Sequence, residues 1–201
     1  MLRDLDNKSK RLAEGPLLEA IQRFRGALGV NALQVDVYDV EPINGLAAPD
    51  GRIFLTRGLI DKYREGVFNS DELAAVIAHE IGHLSLGHHD RRRKAWKIET
   101  AARAAASAFL PGALRGLSVQ LGNIVARLLH MRLSRTDEYQ ADAFAVALMQ
   151  RSGLDPSASI TLLEKLDRLA EGRGAPISWL ASHPPTKKRI AAVQRAIDSV
   201  S

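Results

Sequence analysis

His79-Glu80-Ile81-Gly82-His83 is the stretch of this sequence that says most about its fold and its chemistry. Residues four apart on an α-helix lie on one face, about 6 Å apart along the axis, so two imidazoles at this spacing can bind one zinc ion. Glu80 is offset from both histidines and is therefore available as the general base of a hydrolysis. The stretch predicts a helix that carries metal-assisted hydrolysis of a peptide bond.

A simpler interpretation is a solvated helix face on which two histidines occur by chance. The residues around the motif are mostly apolar, which favours a buried helix, and each buried polar group needs a partner. We therefore prefer a metal site. The apolar neighbours are Leu73, Ala74, Val76, Ile77, Ile81 and Leu84.

A hydrolytic zinc site needs a third protein ligand and an open position for water, and the sequence offers two candidates. His89 lies ten residues after His79, as in metzincins, but their pattern has a glycine where this chain has Leu86. Without that bend, a continuing helix would carry His89 about 9 Å along the axis beyond His83. We expect His88 and His89 to be polar groups on a later helix.

Glu138 is the candidate that we prefer. Glu138 and Asp142 lie four apart, hence on one face of a helix whose flank from Ala143 to Leu148 is apolar. Two buried acids are costly without a cation. The cost is resolved if Glu138 is a ligand and Asp142 accepts a hydrogen bond from a ligand histidine. The alternative is a helix N-terminus at which the dipole favours acids, which is our interpretation of Asp137.

Composition narrows the class of protein. The 201 residues are 46% hydrophobic and 25% charged, as in a globular domain, and the absence of cysteine excludes a thiolate ligand, a catalytic thiol and disulfides. The net charge of +5 is best explained by a solvated basic face. The basic run from Arg91 to Lys94 matches no nucleic-acid-binding motif, so we expect no nucleic acid partner.

Hydrophobic patterning predicts an α+β fold that is predominantly helical. We expect one domain over residues 1–201, with an N-terminal helix over about 8–28 and a small antiparallel sheet over about 34–57. The motif helix begins at about residue 70, behind a capping box of Asn69 and Glu72, and continues to about Phe109. Further helices cover about 134–152 and lie within 156–200.

The sequence also suggests a location. Met1 to Asp6 lack the apolar core of a signal peptide, and no stretch reaches the roughly 20 apolar residues of a membrane helix. If Met1 is the native start, we expect a cytoplasmic protein. If a signal segment has been removed, we expect a periplasmic one.

Four segments, in order and in spacing, resemble the zinc peptidase family of HtpX-like heat-shock proteases and CAAX prenyl endopeptidases, which are gluzincins. The resemblance covers about residues 35–195. It implies a zincin-like fold and a zinc metalloendopeptidase with one zinc ion per chain. The segments are Asn44-Gly45-Leu46-Ala47 with Ile53 to Leu59; His79 to His83; Glu138 to Asp142; and Ser182-His183-Pro184-Pro185 with Arg189-Ile190.

The resemblance also implies roles for residues. His79, His83 and Glu138 would bind zinc, and Glu80 would be the catalytic base. Asp142 would orient a ligand. The motif segment Asn44-Gly45-Leu46-Ala47 would be an edge strand that pairs with extended substrate.

Two downstream residues have less defined roles in this resemblance. His183 would stabilise the oxyanion or, as in some members, occupy the fourth zinc position and restrain activity; the alternative is an ordinary loop histidine. Arg189 would pair with Asp142 or with the loop, or be a surface charge at a helix end.

Two features depart from the family pattern. Gly45 replaces the usual alanine after the asparagine, which we interpret as a mild change. Residues 104–131 occupy the place of a membrane insertion in other members, but Arg115 and Arg127 interrupt them, so the chain is expected to be a compact member without transmembrane helices. We expect this segment to be a core helix pair, a lid, or a peripheral membrane contact.

The expected function is hydrolysis of protein or peptide substrates, in protein quality control or processing near a membrane. The alternative is a latent or non-catalytic zinc protein with a holdase role.

Overall fold

The computed structural model describes residues 2–13, 15–88, 90–91, 93–94, 97, 100, 135–171, 179, 183 and 187–200. The predicted class, α+β and mainly helical, is confirmed. The helices are α1 (Leu2–Lys8), α2 (Gly15–Leu28), α3 (Arg57–Arg64), α4 (Ser70–Ser85), α5 (135–151), α6 (Ala158–Glu171) and α7 (Lys187–Val200). The strands are β1 (Ser9–Arg11), β2 (Val35–Tyr38), β3 (Gly45–Ala47) and β4 (Ile53–Thr56).

Backbone contacts divide the chain into two compact units. One contains residues 1–86 and 139–201, and the other contains residues 87–138. The single domain over 1–201 stays a prediction.

The predicted N-terminal helix over 8–28 is wrong in its first part. Residues Ser9–Arg11 form β1, which pairs antiparallel with β2 in a register that sets Lys10 opposite Val37. The helix α2 begins only at Gly15, so that Pro16 falls in its first turn, where the missing N–H has no helical partner to lose.

The sheet is mixed, not purely antiparallel as predicted. Its strand order is β1-β2-β4-β3, with β2 and β4 parallel and β3 and β4 antiparallel. The physical reason is the path of the chain. After β2 the chain crosses over and forms β3 two strand positions away. It then returns through β4, which lies between β2 and β3. As a result, β3 is an edge strand.

Helix α4 is the central helix of the first unit and packs against α2, α6 and β3. Every residue from 72 to 83 is buried, so the helix is enclosed on all sides, as its nearly continuous apolar sequence indicates. The predicted capping box is confirmed: the Asn69 N–H donates to Glu72 Oε2 and the Glu72 N–H donates to Asn69 Oδ1, each at 2.8 Å. Lys165 on α6 lies 2.9 Å from the same Glu72 carboxylate and compensates its buried charge.

The predicted continuation of the motif helix to Phe109 is wrong at Gly87. Helix α4 ends at Ser85, Leu86 is its C-cap, and Gly87 takes a left-handed φ of 65° that stops an α-helix. Helical backbone resumes at His88. The segment 104–131 lies outside the described residues, so the core, lid and membrane-contact hypotheses for it stay predictions. Within the described residues, no helix has the length and apolar character needed to cross a membrane.

Gly45 stands where the family usually has alanine, yet the space around its Cα is tighter than that small change suggests. A Cβ atom placed there would lie 2.6 Å from Val76 Cγ1 on α4 and 3.0 Å from the ring of Trp179. These contacts are with a branched and a planar side chain, neither of which can move away easily. The close approach of β3 to α4 therefore depends on the absence of a side chain at residue 45.

We predict that Gly45→Ala lowers the free energy of unfolding by about 1–3 kcal/mol, because it overpacks a filled contact. The double variant Gly45→Ala/Val76→Ala removes the side-chain atoms that the new Cβ would meet. Its loss of unfolding free energy should be smaller than the sum of the losses of the two single variants. The measurement is urea unfolding followed by circular dichroism.

Gly26→Ala in α2 is the matched control, because a Cβ there meets nothing within 4 Å. It should stabilise the helix by up to about 1 kcal/mol. A Gly45→Ala protein as stable as the parent would contradict the packing argument.

Candidate metal centre

Helix α4 places His79 and His83 on one face, as their spacing predicts. The two Nε2 atoms lie 3.1 Å apart, and both side chains are almost fully buried. Glu80 on the same helix is buried as well, and its Oε1 has no hydrogen-bond partner among the described residues. Three polar side chains with little access to water thus lie in an apolar helix, an arrangement that needs a compensating group.

His183 belongs to the same cluster, although it is more than 100 positions away in sequence. Its Nδ1 lies 3.4 Å from His79 Nε2, and its Nε2 lies 3.5 Å from Glu80 Oε1. The His183 N–H donates to the Trp179 carbonyl oxygen at 2.7 Å, so its backbone is held in a turn. His183 therefore lies between the two α4 histidines and the candidate base. It is not an unrelated loop residue.

Glu138 completes the group. The potential ligand atoms of His79, His83, Glu138 and His183 all lie within 4.8 Å of one another, and all four residues are buried. Glu138 lies on α5, one turn before Asp142, as its spacing predicts. Imidazole nitrogens and carboxylate oxygens are ligands that zinc takes in proteins.

The distances in the cluster fit a metal ion. Two nitrogen ligands at about 2.0–2.1 Å from a tetrahedral zinc ion are about 3.3–3.4 Å apart. The corresponding distances from His79 Nε2 are 3.1 Å to His83 Nε2 and 3.4 Å to His183 Nδ1. A cation at their centre would be coordinated by these nitrogens.

Asp142 orients the first histidine. Its Oδ1 lies 2.9 Å from His79 Nδ1, so the ring donates its Nδ1–H there and directs the Nε2 lone pair into the cluster. Burial alone would raise the pKa of the Asp142 carboxyl, but hydrogen bonds and charge from Arg189 and His79 hold the pKa below its usual value. Asp142 is therefore a carboxylate, the form that accepts the proton of the ring.

Arg189 makes both of the contacts that the sequence left as alternatives. Its Nε and Nη2 each donate to Asp142 at 2.8 Å, and its Nη1 donates to the His183 carbonyl oxygen at 3.1 Å. The guanidinium is 3% exposed, which excludes the surface-charge interpretation. Arg189 thus connects the carboxylate that orients His79 to the backbone that carries His183.

Trp179 is a residue of this site that no sequence pattern singles out. Its ring centroid lies 4.4 Å from that of His183 and 5.3 Å from that of His79, and the side chain is buried. Its backbone N–H donates to the Ile43 carbonyl oxygen at 3.1 Å, just before β3. The feature of the sequence that could have indicated its role is its place one helical turn before His183, a predicted site residue.

The predicted edge strand lies beside Trp179. Asn44 and Ala48 make main-chain hydrogen bonds with the β4 side, to Thr56 and Arg52. Main-chain groups alternate in direction along a strand, so those of Gly45 and Ala47 point away from β4, towards the edge that pairs with no strand of the described residues. Leu46 lies between them and is partly exposed.

Three other residues of the sequence analysis, His88, Asp137 and His89, have different outcomes. His88 is buried, with its Nε2 3.8 Å from Asp137 Oδ1, and Arg91 lies 3.4 Å from the same oxygen. Asp137 is thus a buried acid facing basic groups, and not only an acid at a helix start. His89 lies outside the described residues, and the metzincin alternative stays untested.

Comparison with known proteins agrees with this geometry. The model of Peptidase family M48 matches residues 14–197. Metalloprotease LoiP of Escherichia coli (strain K12) is 31% identical over 182 residues, which are 88% of this chain and 69% of LoiP. Metalloprotease YcaL of the same organism is 32% identical over 183 residues, 89% of this chain and 69% of YcaL. The Beta-barrel assembly-enhancing protease of Escherichia coli (strain K12) is 29% identical over 157 residues, which are 75% of this chain and 31% of that protein.

The family match includes the α4 motif, the α5 acids and the segment with His183 and Arg189. The chain therefore belongs to peptidase family M48, and it is a metalloprotease.

Proposed function

We propose that this metalloprotease is a zinc endopeptidase that binds one zinc ion per chain through His79, His83 and Glu138, with Glu80 as the general base. One observation carries the proposal. Ring nitrogens converge at 3.1–3.4 Å beside a buried Glu80 oxygen that has no hydrogen-bond partner among the described residues. A cation between the ring nitrogens and a proton donor to the Glu80 oxygen would complete this arrangement.

The proposed residues divide the chemistry between them. Zinc, when bound, supplies a Lewis acid for the scissile carbonyl and for water. Glu80 takes the proton of the attacking water and passes it to the leaving amine. His183, whose Nε2 faces Glu80 and whose Nδ1 faces the histidine cluster, donates a hydrogen bond to the developing oxyanion. Asp142 and Arg189 hold His79 and His183 in place.

The proposed substrate is an extended stretch of protein chain. The open edge of β3 offers the main-chain groups of Gly45 and Ala47, which can pair with an added strand. Strand β3 packs against α4, the helix that carries the predicted catalytic residues. Strand addition reads main-chain geometry more than side-chain identity, so we expect broad specificity.

The proposed role is protein quality control. Its support is similarity to proteins named as metalloproteases and to a Beta-barrel assembly-enhancing protease. We propose that the substrates include misassembled proteins near a membrane, and that the segment 104–131 provides a peripheral membrane contact. The compartment, cytoplasmic or periplasmic, stays a prediction.

A second candidate function is a latent protease. The specific observation in its favour is His183 Nδ1 at 3.4 Å from His79 Nε2, a distance suited to a fourth metal ligand. Four protein ligands leave a tetrahedral ion without an open position. In this state the protein would hold zinc and bind unfolded chains without cutting them.

Glu80→Gln should lower kcat by about 10²–10⁴-fold with unchanged zinc content, because it removes the base and keeps the shape of the side chain. The measurement is cleavage of an unfolded protein, paired with metal analysis by mass spectrometry. Cleavage at the parent rate by Glu80→Gln would disprove the assignment of the base.

Glu138→Ala should lose most of the zinc that the parent protein holds at one ion per chain, because it removes a proposed ligand. Glu164→Ala, which removes an exposed glutamate of α6, is the matched control and should keep its zinc. If both variants hold equal zinc, Glu138 is not a ligand.

His183→Ala separates the open enzyme from the latent one. If His183 stabilises the oxyanion, we expect kcat to fall by about 10²–10³-fold with zinc content unchanged. A rise in kcat would instead identify His183 as a ligand that restrains activity. We expect the fall, because His183 Nε2 is directed at Glu80.

A further inference from the structure

Trp179 lies where strand β3 and the histidine cluster meet. Its side chain is 2% exposed and belongs to the main hydrophobic core, together with Val76 of α4 and Leu162 of α6. A Cβ atom at Gly45 would lie 3.0 Å from the same ring, so the indole packs against β3 at this residue. Because buried side chains are close-packed, a ring enclosed in this way cannot shift unless its neighbours shift as well.

The indole also contacts the histidines. Its ring centroid lies 4.4 Å from that of His183, with the two planes inclined by 35°, and 5.3 Å from that of His79. The His183 backbone N–H donates to the Trp179 carbonyl oxygen at 2.7 Å. Arg189 fixes the backbone of His183 from another side, whereas the indole lies against its imidazole. The position of the indole therefore determines where the His183 ring can lie.

The main chain of Trp179 occupies one place on the edge to which we assign the substrate. The Asn44 N–H donates to Thr56 Oγ1 on the β4 side, so the Ile43 carbonyl oxygen of the same peptide unit points the opposite way. The Trp179 backbone N–H donates to that oxygen at 3.1 Å. The next main-chain groups on this side belong to Gly45, where the edge pairs with no strand of the described residues. A strand that adds there would meet the Trp179 backbone at its end.

We propose that Trp179 is a positioning residue that couples a substrate strand on β3 to the orientation of the His183 ring. The inference rests on the proposed function, in which β3 binds extended substrate and His183 stabilises the oxyanion. A strand paired with Gly45 contacts the segment that carries Trp179, and the close-packed indole transmits its position to His183. Binding energy from residues far from the scissile bond is thereby used in the transition state. An extended segment of protein chain is then cleaved faster than a short peptide, and not only bound more tightly.

The first test measures kcat for two internally quenched peptides built around one bond that the parent protein cleaves in an unfolded protein. The long peptide has about ten residues, enough to pair with β3, and the short one has about four. For the zinc-loaded parent, we expect kcat to be about tenfold or more higher for the long peptide. Trp179→Leu should lower kcat for the long peptide by about 10–100-fold, to the value for the short one. Its KM should stay within about twofold of the parent value, because the β3 main chain still binds the strand.

Two further variants separate positioning from stability. Phe24→Leu removes a ring of the same core on α2, a helix that carries no proposed site residue, and should keep the ratio of the two kcat values. Trp179→Phe keeps an aromatic ring against His183 and should restore most of the ratio that Trp179→Leu loses. If Trp179→Leu keeps the parent ratio, the coupling is wrong and the proposed function stands. Equal kcat for both peptides in the parent would also rule out the coupling. If the parent cleaves neither peptide, the proposed function fails, and the coupling fails with it.

The second test detects the contact without turnover and does not depend on whether Trp179→Leu folds. The sequence has two tryptophans, so Trp96→Phe leaves Trp179 as the single indole fluorophore. Glu80→Gln in the same protein keeps zinc and prevents cleavage. Titration with the long peptide, made without tryptophan, should change the Trp179 emission saturably. The same peptide N-methylated at alternate residues cannot donate those main-chain hydrogen bonds, so it should require about tenfold more peptide for the same change. Binding of a labelled long peptide, seen by anisotropy, with no change in Trp179 emission would refute the coupling.

Discussion

The contact between His79 Nδ1 and Asp142 Oδ1, at 2.9 Å, is the interaction on which the site depends. It joins α4 to α5 and fixes which ring nitrogen of His79 faces the cluster. Because Arg189 pairs with the same carboxylate through two nitrogens and also binds the His183 carbonyl oxygen, the orientation of the first histidine and the position of the last are linked. Loss of the Asp142 charge would therefore disturb two sides of the cluster at once.

Burial explains why this linkage is needed. Asp142 is 6% exposed and Arg189 is 3% exposed, and breaking such a pair by removing one partner costs about 3–5 kcal/mol because the other charge stays buried. The same reasoning applies to the histidines and acids around them. The apolar body of α4 offsets these costs through packing on all its sides. The polar groups that it surrounds are in turn kept from water, which strengthens every electrostatic interaction among them.

The sequence predicted what depends on local spacing. The shared face of His79 and His83, the pair Glu138 and Asp142, and the Asn69 cap all follow from helical periodicity. Contacts that depend on chain path were less accessible. Trp179 contacts His79 and the Ile43 carbonyl oxygen, both distant in sequence, and for Arg189 the sequence left open Asp142, the loop and a surface position. The strand β1 was missed because Ser9-Lys10-Arg11 lacks apolar alternation, so only pairing with β2 makes it a strand. The end of α4 was missed because a left-handed Gly87 is a property of the backbone and not of the hydrophobic pattern.

The error in the sheet is the most informative one for function. In a simple antiparallel meander, β3 would lie between β2 and β4, with both of its edges occupied, and no substrate could add to it. The parallel pairing of β2 with β4, with Val35 opposite Ile53, removes β3 from the centre and leaves it at the edge. The family resemblance implied that β3 is an edge strand, and the sequence pattern suggested an antiparallel sheet. In an antiparallel sheet with consecutive strand order β3 would be central, so the two expectations conflict. The mixed topology resolves this conflict, since β3 pairs with β4 on one side and, among the described residues, with no strand on the other.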